Sequence, residues 1–298
     1  MPKPIAFPIV VCGLFLLPGC LLPIPQHAYY VTPLNGNNEG YHPLPLREDT
    51  VQTAVYAGGS FFTGAANEEG TDYFNGGRLS LSVAHHYGMF QFYYGLDGTL
   101  GSYTLGRWDS GYTNTLFPLR TAPPVHADIL NRYSGPRTFG SAGFQTGVNA
   151  VVPVRGGEWR FLGLETSLNR EFGDYLSFRK RLPDSLVSLD IRSSFVGTFG
   201  ISSERVGRTR HGEFGFRLAY GWMLGTAYRN LHIYDDVSAR YLRYRYFTFS
   251  FHYTYERYTG FMLLNAATKA SSIQVGVQYR LSKSRLPAKE EWQGRYRR

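Results

Sequence analysis

Between Phe214 and Leu224 the chain places Phe214, Phe216, Leu218, Tyr220, Trp222 and Leu224 at alternate positions, with Gly215, Arg217, Ala219, Gly221 and Met223 between them. Side chains of a β-strand point to the two faces of the pleat in turn. The alternation therefore predicts a strand with one apolar and one mixed face. At ~3.3 Å per residue it runs about 33 Å. Tilted by ~40°, that covers the ~25 Å apolar band of a membrane barrel. Strands of soluble proteins are commonly only about 5–6 residues long.

The same period recurs along the chain. Val51–Phe62, Leu79–Val83, Phe90–Leu100, Ala142–Val152, Trp159–Asn169, Leu189–Ile201, Phe247–Tyr255 and Ile273–Leu281 read as further strands, of which Leu189–Ile201 is the least regular. With the apolar patch Phe261–Leu264 as one more, the count is about ten; eight and twelve stay open. Connections around His86–Gly88 and Pro153–Gly157 are short, whereas 63–76, 103–138, 171–187 and 227–240 are longer. Short turns alternating with long loops are expected when one barrel end faces the periplasm and the other the exterior. The prediction is an all-β, antiparallel up-and-down transmembrane β-barrel over 51–282. A soluble barrel or sandwich with an apolar interior is the competing fold; strand length, aromatic load and loop asymmetry speak against it.

Composition agrees with a barrel that has one lipid face and one wet face. Charged residues are 18% of the 298 and aromatics 16%, with 34 glycines; charge in globular domains is typically near 25%. Mean hydropathy is −0.26, and no apolar run approaches the ~20 residues of a membrane helix. The net charge of +9 includes the basic end Lys283, Arg285, Lys289, Arg295, Arg297 and Arg298. Residues 283–298 read as a solvated periplasmic tail rather than a nucleic-acid site.

Residues 1–20 read as an export signal, with Lys3 as its positive start and Ile5–Leu17 as an apolar core too short to span a bilayer. Its end, Leu17-Pro18-Gly19-Cys20, resembles the lipobox of bacterial lipoproteins; Pro18 departs from the pattern. The resemblance implies lipidation of Cys20, with the lipid in the periplasmic leaflet of the outer membrane. Cys12 falls within the signal, so no disulfide is expected in the mature chain. Residues 21–50, rich in Pro, Asn and Gly, read as a linker.

Over 51–282 the strand pattern resembles small bacterial outer-membrane β-barrels of the OmpA and OmpW kind. The last strand is similar to the signal read by the barrel-assembly machinery, although it carries a tail to Arg298 in place of a terminal aromatic. Outer-membrane lipids and that machinery are the partners this implies.

By parity Asp97, Glu165 and Glu213 face inward together with Arg78, Arg217 and Arg280. A barrel of eight to ten strands is nearly filled by side chains, and buried charges of opposite sign must pair there. The favoured reading is a lumen plugged by paired charges; a selective small-solute pore is the alternative. The connection 103–138 holds Arg107, Trp108, Tyr112, Phe117, Arg120 and Arg132. It is the candidate external binding loop, for lipopolysaccharide or another surface partner. His252 beside Ser250 and Thr248 is the nearest approach to a catalytic group, as a lipid-active enzyme would need, and reads as a packing residue. No cofactor or metal site is expected.

Overall fold

A computed structural model describes residues 29–34, 40–46, 52–66, 72–108, 127–183, 189–190, 193–224, 245–268 and 270–282. Ten antiparallel strands close into a barrel: β1 (Thr53–Ala66), β2 (Asp72–Tyr87), β3 (Phe90–Leu105), β4 (Gly135–Val154), β5 (Gly157–Phe172), β6 (Phe195–Arg208), β7 (Glu213–Leu224), β8 (Arg245–Tyr255), β9 (Tyr258–Ala267) and β10 (Ala270–Arg280). Each strand pairs with its sequence neighbour, and β10 pairs with β1 to close the ring. Closure leaves no unpaired edge, which a strand in hydrocarbon requires.

Alternation sets the two faces. On β7, Phe214, Phe216 and Leu218 are exposed on the outside while Gly215, Arg217 and Ala219 are buried toward the lumen. The outer surface continues through Leu79, Leu96, Leu100, Phe144, Leu168 and Val277, all exposed. Leu79 reaches 74% exposure on this surface. Aromatic side chains gather near the barrel end where tight turns join the strands, called here the turn end, among them Tyr87, Trp159, Tyr255 and Tyr258, as in the interfacial girdle of membrane barrels. Strand count and transmembrane architecture thus agree with the sequence pattern, and Phe261–Leu264 lies within the additional strand β9.

Several boundaries differ. Several strands are longer than their apolar alternation suggests, because their stretches away from the turn end carry Gly, Asn and Asp, as in Asp72-Tyr73-Phe74-Asn75-Gly76-Gly77 of β2. The first connection accordingly shrinks to 67–71. The irregular run at Leu189 splits: Leu189–Asp190 pairs in parallel with Tyr29–Tyr30, and β6 begins only at Phe195. Tight turns at 88–89, 155–156 and 256–257 mark one end of the barrel. Gly88 (φ 62°) and Gly156 (φ 75°) supply the positive φ that such turns demand. The connections 106–134, 173–194 and 225–244 mark the other end, called here the loop end. Two short helices belong to it, α1 (Ala127–Asn131) and α2 (Asp174–Arg181).

The stretch read from the sequence as a linker has a different place where it is described. Residues 30–34 and 41–46 are buried inside the barrel, with Val31, Thr32 and Leu34 completely covered. Pro and Asn content signals irregular backbone, but whether such backbone is solvated or enclosed depends on the space the strands leave. A ten-stranded ring leaves room for one extra extended segment.

Candidate functional site

That segment and the wall around it form the site. It enters at the loop end, where Tyr30 packs edge-on against Phe178 of α2 at 5.3 Å between ring centroids. The Tyr175 hydroxyl donates to the Val31 carbonyl at 2.9 Å, and the Thr32 hydroxyl donates to Glu171 at 2.8 Å. Burial pushes the Tyr175 phenol well above its ordinary range, so it stays a neutral donor. Glu171 also pairs with Arg179 of α2, both fully buried. Burial works against the Arg179 charge, but the facing carboxylate outweighs it and the net shift is upward. Phe62, Phe74, Tyr103, Trp108, Leu130 and Phe139 complete an apolar cap over this end.

Deeper in the lumen the backbone of the segment is held by wall side chains. The Gly40 amide donates to Gln145 Oε1 at 3.3 Å. Gln278 donates to the Tyr41 carbonyl at 3.3 Å, Arg160 Nη2 to the Leu44 carbonyl at 3.1 Å, and Gln91 to the Pro45 carbonyl at 2.9 Å. Two rings lie flat against the wall: Tyr41 stacks on His252 at 4.6 Å and His42 on Tyr93 at 4.9 Å. The lumen faces of β4 and β7 carry glycine at Gly147 and Gly215, where a Cβ would collide with the rings of Tyr93 and His252. Leu44 settles against Ala54, Tyr56, Ala84 and Tyr93 near the turn end.

Charged side chains tie the wall together. Arg160 is 1% exposed and sits between Glu204, 2.6 Å from Nη1, and Glu158, 2.7 Å from Nη2. Its guanidinium thus bridges two carboxylates and a carbonyl of the inserted segment, using the fork of donors that only Arg offers. Of the lumen charges expected from parity, Arg78 lies 3.7 Å from Asp97, and Arg217 pairs with Glu165. Asp97 also accepts from Gln145 at 2.9 Å, which links this pair to His42 through the 2.6 Å His42–Gln145 contact. Arg280 is buried but reaches the Glu256 carbonyl at 3.4 Å rather than an acid. Glu213 sits at the turn-end start of β7 and is only half-buried, so it is a rim residue.

Glu158 and Arg160 escape a period-two reading, while Glu204 keeps the alternation of β6 but lies beyond the expected strand end at Ile201. The register of β5 shifts between Arg160 and Gly163, and both Phe161 and Leu162 face outward. Such a bulge reverses parity, so Glu158 and Arg160 point inward at even positions while Glu165 does so at an odd one. Two adjacent large apolar residues within an alternating strand were the available signal. Nothing in the sequence marked Tyr41 and His42.

Between the segment and the wall remains a cavity of about 10 Å³, bordered by Tyr41, His42, Tyr93, Glu165, Glu204 and Arg217. That is about the space of a single water. His252 faces Glu204 at 3.3 Å and is covered by Tyr41, so a substrate has no room beside it. Among the described residues no group of three His, Cys, Asp or Glu side chains is placed to hold a metal.

The expected external loop divides. Trp108 is a correction: it is 5% exposed, embedded in the loop-end cap, and its backbone exchanges two hydrogen bonds with Asn131 at 2.7 and 3.0 Å. Its indole joins the cap because the inserted segment provides apolar partners there. Arg107 and Arg132 are exposed. Tyr112, Phe117 and Arg120 lie outside the described residues, as do Cys20 and the tail 283–298. A separate open groove of about 680 Å³ lies at the loop end between β4 and α2. Arg137, Arg181 and Phe178 line it, with the Arg137 guanidinium 4.4 Å from the Phe178 ring centre.

An apolar belt outside, a closed strand ring and a polar interior occupied by the chain itself define a membrane-spanning β-barrel with a filled lumen. No protein-family model matches the chain, and no curated protein does. Among solved structures it is similar, at low identity, to several outer-membrane barrels. The β domain of the Bordetella autotransporter BrkA is 11% identical over 77% of this chain and 99% of that one, with a TM-score of 0.40. The translocator domain of the autotransporter NalP from Neisseria meningitidis is 13% identical over 79% and 91%, with a TM-score of 0.36. The KdgM porin, solved with disordered oligogalacturonate, is 11% identical over 76% and 98%, with a TM-score of 0.28.

Proposed function

We propose that this is a bacterial outer-membrane barrel with a structural or surface-binding role, closed to solutes by its own N-terminal segment and anchored through a lipid on Cys20. The observation that carries the closed state is the row of wall side chains bonded to the backbone of residues 40–46, with Gln145 accepting from the Gly40 amide and Gln278, Arg160 and Gln91 donating to carbonyls. Buried backbone polar groups need partners, and here the wall supplies them to an irregular segment that has no strand neighbour. The paired charges reinforce the plug. A binding role falls to the loop end, where the groove beside Arg137 and Arg181 combines cations with an aromatic face, chemistry suited to the phosphates and acidic sugars of lipopolysaccharide.

Planar-bilayer conductance tests the plug. The full chain should be silent, and a variant lacking residues 29–46 should conduct, with the freed lumen charges setting ion selectivity. Steady conductance from the full chain would favour the alternative, a small-solute channel, for which the charged wall left behind by the segment is the supporting observation. Fatty-acid labelling that is lost in Cys20→Ala would support the anchor; equal labelling of both chains would end it.

A further inference from the structure

We infer that the chain is threaded through its own barrel, so that the residues preceding Tyr29 emerge at the loop end, on the opposite membrane face from the start of β1 and the end of β10. The direction of travel is fixed by contacts at successive heights. Tyr29–Tyr30 pairs with Leu189–Asp190, in the connection that joins β5 to β6 at the loop end. Thr32 meets Glu171, near the loop-end terminus of β5. Gly40 meets Gln145 in the middle of β4. Leu44 and Pro45 meet Arg160 and Gln91, near the turn-end termini of β5 and β3. β1 then begins at Thr53, at the turn end, beside His85 of β2. The other terminus stays at that end, where the Leu281 amide donates to the Val55 carbonyl at 2.8 Å.

Chain length turns this path into a statement about the anchor. Nine peptide steps separate Cys20 from Tyr29, and at ~3.3–3.6 Å each they reach about 30 Å. β2 has 16 residues, which at ~3.3 Å per residue and ~40° tilt gives a barrel roughly 40 Å high. A lipid on Cys20 in the turn-end leaflet would require the intervening chain to cross back. The lumen is filled, and an extended segment in hydrocarbon would leave its backbone groups unpaired at several kcal/mol each. With the thread in place, an acylated Cys20 sits in the leaflet of the loop end. This departs from the periplasmic placement expected when the N-terminal stretch was read as a linker entering from below.

The inference rests on the plugged-barrel reading, and its test separates the two. Ala28→Cys and Ser284→Cys are single substitutions outside the barrel strands. Each is introduced separately into the full chain, and each variant is shown to retain the heat-resistant barrel band. Intact cells are treated with a membrane-impermeant maleimide and compared with the parent chain, then treated again after the outer membrane is permeabilised. The expected result is labelling of one position in intact cells and of the other only after permeabilisation, with Ala28→Cys on the side of a tag placed in the connection 106–134. Labelling of both positions from the same side would overturn the threading. If conductance is then still absent, the plug stands and only its direction fails. Opposite sides together with steady conductance would leave the threading standing and remove the plug.

Discussion

Arg160 is the residue on which the lumen depends most heavily. Its guanidinium is 1% exposed and lies within 2.8 Å of Glu158 and Glu204, with a further donor on the Leu44 carbonyl of the thread. Arg160→Met keeps most of the volume of the stem but leaves two carboxylates facing each other with no cation between them. Removing one partner of a buried ion pair costs about 3–5 kcal/mol, because the other charge stays buried without compensation. Here two carboxylates lose their shared cation while keeping hydrogen-bond donors, Gln91 on Glu158 at 3.1 Å and Tyr41 on Glu204 at 3.4 Å, so a loss within that range is expected. Equilibrium urea unfolding in lipid vesicles, followed by tryptophan fluorescence and by the heat-resistant gel band, measures it. Arg205→Met is the matched control: Arg205 is half-exposed and donates to the Arg155 carbonyl at 3.4 Å, so a change within about 0.5 kcal/mol is expected. Adding Glu158→Gln and Glu204→Gln to Arg160→Met removes the two buried charges that lost their cation and should recover ~1–2 kcal/mol, since neutral amides cost less to bury. The reasoning is refuted if Arg160→Met and Arg205→Met are equally stable, or if the triple variant is less stable than Arg160→Met alone.

Two further outcomes follow from the faces of the strands and from the cap. Leu218→Arg puts a charge on the lipid face of β7 and should lower folding stability in vesicles by about 2–4 kcal/mol if it lies near the midplane, whereas Ala219→Ser, facing the lumen, should fall within about 1 kcal/mol; equal folding of the two would invalidate the register. Trp108→Ala should cost about 3–5 kcal/mol by emptying the cap, while the exposed neighbour change Arg107→Ala should stay within ~0.5 kcal/mol; the same unfolding measurement decides, and equal effects would mean that Trp108 does not pack in the cap.

What could be read from the sequence was set by local periodicity. Phe214 to Leu224, Phe247 to Tyr255 and Ile273 to Leu281 announce strands because each residue's face follows from its neighbours alone. Parity puts Arg78, Asp97, Arg217 and Glu165 on one side of their strands, but which acid each Arg meets, Asp97 for Arg78 and Glu165 for Arg217, is set by how the strands pair. Parity failed where a bulge reverses it, and so Glu158 and Arg160 were missed: a register shift comes from the pairing of two strands, not from one strand's sequence. Trp108 reads as a loop aromatic because the alternation of its strand ends before it. It is buried in one cluster with Leu34 and Phe178, residues brought in from both sides of the sequence. The fate of residues 29–46 was beyond local reasoning for the same reason. Their Pro, Asn and Gly content dictates irregular backbone, and only the width of a closed ten-stranded ring decided that this backbone would be enclosed and satisfied by the wall.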